Sequence, residues 1–321
     1  MKRKLYPAMA LLLAIALLLL PAACGGKAAP ASARETEALT ETAAATTAGP
    51  ESEEEGTTAQ EAPTTAPDGS SSVKATAAGE TSIAANAVPA TPAEVLSAYT
   101  EVMNYAKKNA RHMRKLEYQQ LGKDHKFESD SLQGIMDNDT VMEQAGKLMT
   151  SREAAMEKDM YTQGVSDMVN ELPIMKCNAG CMVKDVNAFT LAAARQLSNG
   201  NIELTLVMKE ENNPEPAAAG ASTAPSITGQ MFNPLSKAGI DERLNGTIVK
   251  MAFFGKPPVI GTKYYGCKAV LTYDPATSRI VSLQHNYNVR INVLEGKALG
   301  FINTVGYATL EAAMVCDNFR Y

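Results

Sequence analysis

The chain has 321 residues, 45% of them apolar and 6% aromatic with no Trp, and a formal charge of −5. That charge is uneven: Lys2, Arg3 and Lys4 contribute +3, residues 27–90 hold ten acids against three bases, and residues 91–321 are left at −1. A domain so balanced has no cluster of Lys and Arg with which to displace counterions, which excludes nucleic acid as a partner.

Lys2-Arg3-Lys4 reads as a basic leader, followed by an apolar run from Ala8 to Leu20 and then small residues. The run is too short for an ordinary spanning helix, and its flanks are those of an export signal. Leu20-Pro21-Ala22-Ala23-Cys24-Gly25 resembles the lipobox of bacterial lipoproteins, with Pro21 where the family usually has Leu and Leu20 one step earlier. The resemblance implies a signal peptide over 1–23 and lipid attachment (palmitate or a similar acyl chain) at Cys24. It places the protein on the extracytoplasmic face of the cell membrane, with the membrane as a partner through that lipid. Cleavage near Ala23 into a soluble product and retention of an uncleaved anchor are the other two readings.

From 24 to 90 the chain is dominated by Ala, Thr, Glu, Ser, Pro and Gly, as in Glu51-Ser52-Glu53-Glu54-Glu55 and Pro63-Thr64-Thr65-Ala66-Pro67. Little there can be buried to offset the entropy of ordering, so an acidic, disordered tether is predicted, spanning about 45 Å as a flexible coil. One folded domain, 91–321, follows.

Thr91-Pro92-Ala93-Glu94 is a capping box with proline at the first helical position, and Val95, Tyr99, Val102, Met103, Ala106, Ala110 and Met113 form one apolar stripe. The pattern predicts an amphipathic helix to about Arg114. A second is expected over Ser131–Met149, and Thr150-Ser151-Arg152-Glu153 resembles a further cap. Beyond Pro173 strands are expected. Ser198-Asn199-Gly200-Asn201 is a hairpin turn between Val186–Gln196, where three alanines make helix a competitor, and Ile202–Met208. Glu211–Pro234 reads as a long polar loop outside the core. A meander of Thr247–Phe254, Lys263–Tyr273, Arg279–Val293 and Ala298–Val315 closes the chain.

The third of these strands alternates cleanly. Val281, Leu283, His285, Tyr287, Val289, Ile291 and Val293 lie on one face, and Ser282, Gln284, Asn286, Asn288, Arg290 and Asn292 on the other. A strand that long belongs to a twisted or curved sheet with one face covered. The prediction is therefore an α+β fold, N-terminal amphipathic helices packed on a curved antiparallel sheet. Its ordering resembles the curved half-barrels of lipoprotein carriers of the LolA type and related mycobacterial lipoproteins. Glu210-Glu211-Asn212-Asn213-Pro214-Glu215-Pro216 and Met231-Phe232-Asn233-Pro234-Leu235-Ser236 are similar to lipoproteins of low-GC Gram-positive bacteria, a resemblance that brings no activity with it.

Cys177-Asn178-Ala179-Gly180-Cys181 is a candidate disulfide across a tight turn, since an even number of cysteines in an exported domain suggests bridges. A copper site is the competing reading, weakened by there being three His in the chain. Cys267 and Cys316, on separated strands, read as unpaired. Leu283, His285, Tyr287, Val289 and Ile291 are the candidate ligand-binding residues, with Met103 and Met142 as lids. A hydrogen-bonded core histidine is the plainer reading of His285; His112 and His125 read as solvated. Asp137-Asn138-Asp139 lacks the glycine and terminal Glu of a calcium loop. No cofactor, metal site or catalytic motif is identifiable. The sequence thus points away from an enzyme and towards a binding module for an apolar ligand, a lipid or a protein partner, or towards a surface protein with a fully packed core.

Overall fold

The computed structural model describes residues 87–140, 142–143, 156–159, 161–162, 165–166 and 168–321. The expected signal, Cys24 and nearly all of the expected tether lie outside the described residues, as do 141 and 144–149 of the second predicted helix and the cap at 150–153.

Helix α1 (Pro92–Asn109) begins at the expected box: Thr91 Oγ1 accepts from Glu94 N at 3.3 Å, and Glu94 Oε2 accepts from Thr91 N at 3.0 Å. Its stripe is buried, with Tyr99, Met103 and Ala106 wholly enclosed. It ends five residues before the predicted Arg114, where Ala110 turns extended and Arg111 N donates to Arg320 O at 2.8 Å. Strand β1 (His112–Phe127) follows, a strand the sequence concealed. α2 is Asp130–Met136, and the short strands β2 (Met156–Asp159), β3 (Tyr161–Thr162) and β4 (Val165–Ser166) precede α3 (Met168–Glu171).

The Asn199-Gly200 hairpin joins β5 (Phe189–Gln196) to β6 (Ile202–Met208), with Gly200 at φ 86° and Asn199 Oδ1 accepting from Asn201 N. Val186–Ala188, expected to begin the first of these strands, form a 3-10 turn. β7 (Glu211–Asn212) is followed by the loop to Pro234, then α4 (Lys237–Leu244) and α5 (Thr247–Ala252). The predicted strand Thr247–Phe254 is thus a helix. Its β-branched start misled, and burial of Ala252 and Phe253 in the core outweighs that propensity.

β8 (Val259–Asp274), β9 (Arg279–Glu295), the hairpin of β10 (Lys297–Ala298) and β11 (Ile302–Asn303), and β12 (Gly306–Arg320) complete the chain. The last strand begins eight residues beyond the expected Ala298. A Cβ on Gly306 would meet Lys126 O at 2.3 Å, so only glycine admits this approach to β1.

Mixed helix and sheet is the result, with an antiparallel sheet ordered β2-β1-β12-β9-β8-β6-β5 and β7 added on β8. Paired residues share a face. One row across the strands is Lys115, Cys316, Leu283, Leu271, Leu204 and Ala194. The next is Glu117, Met314, His285, Ala269, Leu206 and Ala192. A bulge between Tyr265 and Lys268 lets Cys267, Tyr264 and Thr262 all be buried on β8. The loop expected to stay out of the core contributes Met231 and Phe232, both enclosed. It pays its polar cost internally: Glu211 accepts from Ile227 N and Thr228 N, and Ser226 Oγ donates to Glu215 O at 2.6 Å.

Candidate functional site

The candidate residues on β9 do share one face. Leu283, His285, Val289 and Ile291 are buried and Tyr287 is half-buried, whereas Val281, expected beside them, is 44% exposed at the strand's start.

What lies against them is protein. Tyr99 Oη meets His285 Nε2 at 2.8 Å, and the Phe232 ring sits 4.6 Å from the imidazole. Phe232 also meets Tyr287 edge-on at 6.2 Å, and Tyr287 lies 5.6 Å from Tyr264, whose hydroxyl accepts from Leu235 N at 2.8 Å. The helix stripe, the strand and the loop thus converge on one aromatic cluster. Met103, proposed as a lid, is wholly buried with the Gly180 backbone against its Cβ; Met142 is partly buried against the core.

Burial, with no charge to offset it, lowers the His285 pKa to about 3, so the ring is neutral at physiological pH. Burial raises the Tyr99 and Tyr264 hydroxyls well above their usual range and also raises that of Tyr287. A neutral imidazole bonded to a neutral phenol is a satisfied core pair rather than a poised base.

The four described cysteines are free and buried, so the structure corrects the disulfide expected between Cys177 and Cys181. They belong to different neighbourhoods. Cys177 packs with Ile174 and Met182 and its thiol donates to Ala218 O at 3.2 Å, whereas Cys181 joins the main core. Cys267 and Cys316 are also free. The register opposes Cys316 to Leu283, about four residues along β9 from Cys267's level, so they lie roughly 16 Å apart, too far to bridge. Burial pushes both thiols up to about 12 and raises that of Cys181, which removes them as nucleophiles.

Two buried lysines escaped the sequence reading. On β1, Lys115 Nζ pairs with Glu117 at 2.6 Å and Glu171 at 3.4 Å, its side chain only 3% exposed. Burial opposes the charge, yet the two carboxylates hold the ammonium above its ordinary pKa. On α1, Lys107 Nζ donates to Ile174 O at 2.5 Å and Cys177 O at 2.6 Å, and burial lowers its pKa to about 7. Carbonyl acceptors alone would have been hard to foresee; the Lys115–Glu117 spacing, two apart on a strand, was visible once 112–127 is read as a strand.

His125, expected to be solvated, is largely enclosed and bonds Asp137 at 3.1 Å. Among the described residues no three His, Cys, Asp or Glu side chains converge as metal ligands, and no helix is long and apolar enough to cross a membrane. Compared with protein-family models, curated proteins and solved structures, the chain matches none.

Proposed function

We propose that the chain is a bacterial lipoprotein, lipidated at Cys24 and held outside the cell membrane, whose domain over 91–321 is a non-catalytic interaction module with a filled core. In this reading the sheet is curved, α1 covers its inner face, and partners are met on the outer surface rather than in a hollow between helix and sheet. The observation that carries it is the seating of Tyr99 and Phe232 on His285, at 2.8 Å and 4.6 Å, over the part of β9 where a carried apolar ligand would lie. Against catalysis stand a histidine of pKa about 3, thiols near 12, and a lysine whose ammonium is engaged by two backbone carbonyls.

The test is to place Trp at Val289 or Ile291. In a filled core the added volume costs about 1–3 kcal/mol, visible as a lower urea midpoint. Native mass spectrometry of the gently extracted wild type should show no lipid beyond the N-terminal acyl chains. Unchanged stability together with a co-purifying lipid would overturn the filled-core reading in favour of a carrier. Cys24→Ala tests the anchor separately: the variant should appear in the medium or as an unprocessed precursor, and a processed, membrane-bound variant would refute lipidation.

A further inference from the structure

We infer that the end of the sheet where β9 finishes is a tip that docks on an anionic lipid bilayer. The inference rests on the membrane-anchored reading above for having a bilayer at hand.

Among the described residues, five of the nine large apolar side chains that stand exposed fall in two short segments: Met251, Phe254 and Val259, and Leu294 and Phe301. The two segments touch. Leu299 N donates to Ala252 O at 2.7 Å, Val259 pairs with Glu295, and the Phe254 ring lies so close to Gly300 that a Cβ there would meet it at 3.1 Å. Each is closed by a tandem of left-handed residues, Phe254 (φ 46°) with Gly255 (φ 78°), and Leu299 (φ 53°) with Gly300 (φ 79°). Bulky residues enter that region at a cost. Here the turns do not bury the neighbouring rings; Phe254 is 68% and Phe301 77% exposed. Clustered exposed apolar groups mark a surface built to meet something other than water.

Charge says what. Exposed Lys250, Lys256 and Lys297 lie in the same two segments as the rings, against one acid, Glu295, in residues 250–259 and 294–301. That local +2 stands in a domain whose formal charge is −1. Aromatic and aliphatic side chains flanked by lysines suit the interface of a bilayer bearing anionic headgroups, with rings among the acyl carbonyls and ammonium groups among the phosphates.

The path of the chain agrees. Tyr105 stacks on Tyr321, whose hydroxyl accepts from Ile280 N at the start of β9, while Tyr99 reaches His285 further along. Helix α1 therefore runs against β9, and Thr91, where the tether would enter, is at the helix end directed towards the tip. A tether with the coil dimensions expected from its composition, about 45 Å, would leave that tip free to reach the bilayer that holds the acyl chains.

Because the chain has no Trp, Phe254→Trp and Phe301→Trp each create a single reporter in the full lipidated protein. Each variant would be incorporated into phosphatidylcholine vesicles with and without phosphatidylglycerol, some carrying brominated acyl chains. Flotation reports the anchor; tryptophan emission reports the tip. We expect both reporters to shift to the blue and to be quenched several-fold more in the phosphatidylglycerol vesicles. The combination K250E, K256E and K297E should abolish that difference, and Tyr118→Trp, on β1, should stay unquenched. Vesicles that float with unquenched tip reporters would overturn the tip while leaving the anchor intact; protein that fails to float counts against the anchor. Equal quenching of Tyr118→Trp, or a blue shift without vesicles that tracks a concentration-dependent dimer, would also overturn the inference, the latter assigning the surface to a second copy of the chain.

Discussion

Lowering the pH from 7 to 5 should destabilise the domain by about 2 kcal/mol through His285 alone. The ring is buried against Tyr99 and Phe232, which holds its folded pKa at about 3, whereas the unfolded chain offers an ordinary imidazole near 6.5. A group whose folded pKa is depressed contributes stability that is present above the unfolded value and lost as pH falls. Between 6.5 and 3 the unfolded state binds nearly one proton more than the native state, a slope of about 1.4 kcal/mol per pH unit. Integrating from 7 to 5 gives roughly 2 kcal/mol, or about 0.7–1 M in urea midpoint at an m-value of about 2–3 kcal/mol/M. The carboxyls whose pKa values are lowered in the fold, Glu94 and Asp317, have unfolded references of 4.5 and 3.8, below this window. Lys107, at about 7, adds less than about half a kcal/mol. Urea unfolding followed by far-UV circular dichroism at pH 7, 6 and 5 measures the slope. His285→Gln should flatten it whatever that variant does to stability at pH 7. A variant that loses as much as the wild type between pH 7 and 5 would refute the assignment.

Lys107 works in the opposite window. Its folded pKa near 7 against 10.5 unfolded means that stability should rise by about 1.5 kcal/mol from pH 7 to 8.5, and Lys107→Met should abolish the rise in urea midpoint. Above pH 9 the trend should reverse, because Cys267 and Cys316 stay protonated in the fold up to about 12 while their unfolded thiols ionise from 9.0. Thr91→Ala removes the hydroxyl of the capping box and should cost about 1 kcal/mol; a loss below about 0.3 kcal/mol in the same assay would show that the cap is idle.

How much of this could be read from residues alone follows from where the polar groups went. α1 was legible because its cap and stripe obey one period. β9 was legible because Leu283, His285, Val289 and Ile291 alternate with polar residues over its whole length. Of the trio Tyr99, His285 and Phe232, the first two were on faces correctly described from those two elements. The third, Phe232, was not. It sits in a loop whose polarity suggested solvent, yet that polarity is consumed within the loop by Glu211, Glu215 and Ser226, which frees Met231 and Phe232 to enter the core.

β1 failed to register for the converse reason. Its inward face carries Met113, Lys115, Glu117 and Gln119, so hydrophobic alternation, the signal that reveals a half-buried strand, is inverted there. A strand can be built this way only where each inward charge has its partner, as Lys115 has in Glu117 two residues on and in Glu171 from α3. The partner from α3 is more than fifty residues away in the chain, so no local pattern contains it. The consequence reaches beyond one missed strand. Without β1, the helix seemed to continue to Arg114 and the last strand had no neighbour to fix its start, which let β12 be read eight residues early. One charged pair facing inwards thus accounts for both misplacements. The two buried lysines differ in kind from those at the tip. Buried Lys107 and Lys115 answer to carbonyls and carboxylates inside the fold, whereas Lys250, Lys256 and Lys297 stand exposed beside rings that the fold leaves uncovered. Charge that the interior has satisfied explains architecture; charge exposed beside Phe254 and Phe301 is what the proposed bilayer contact would use.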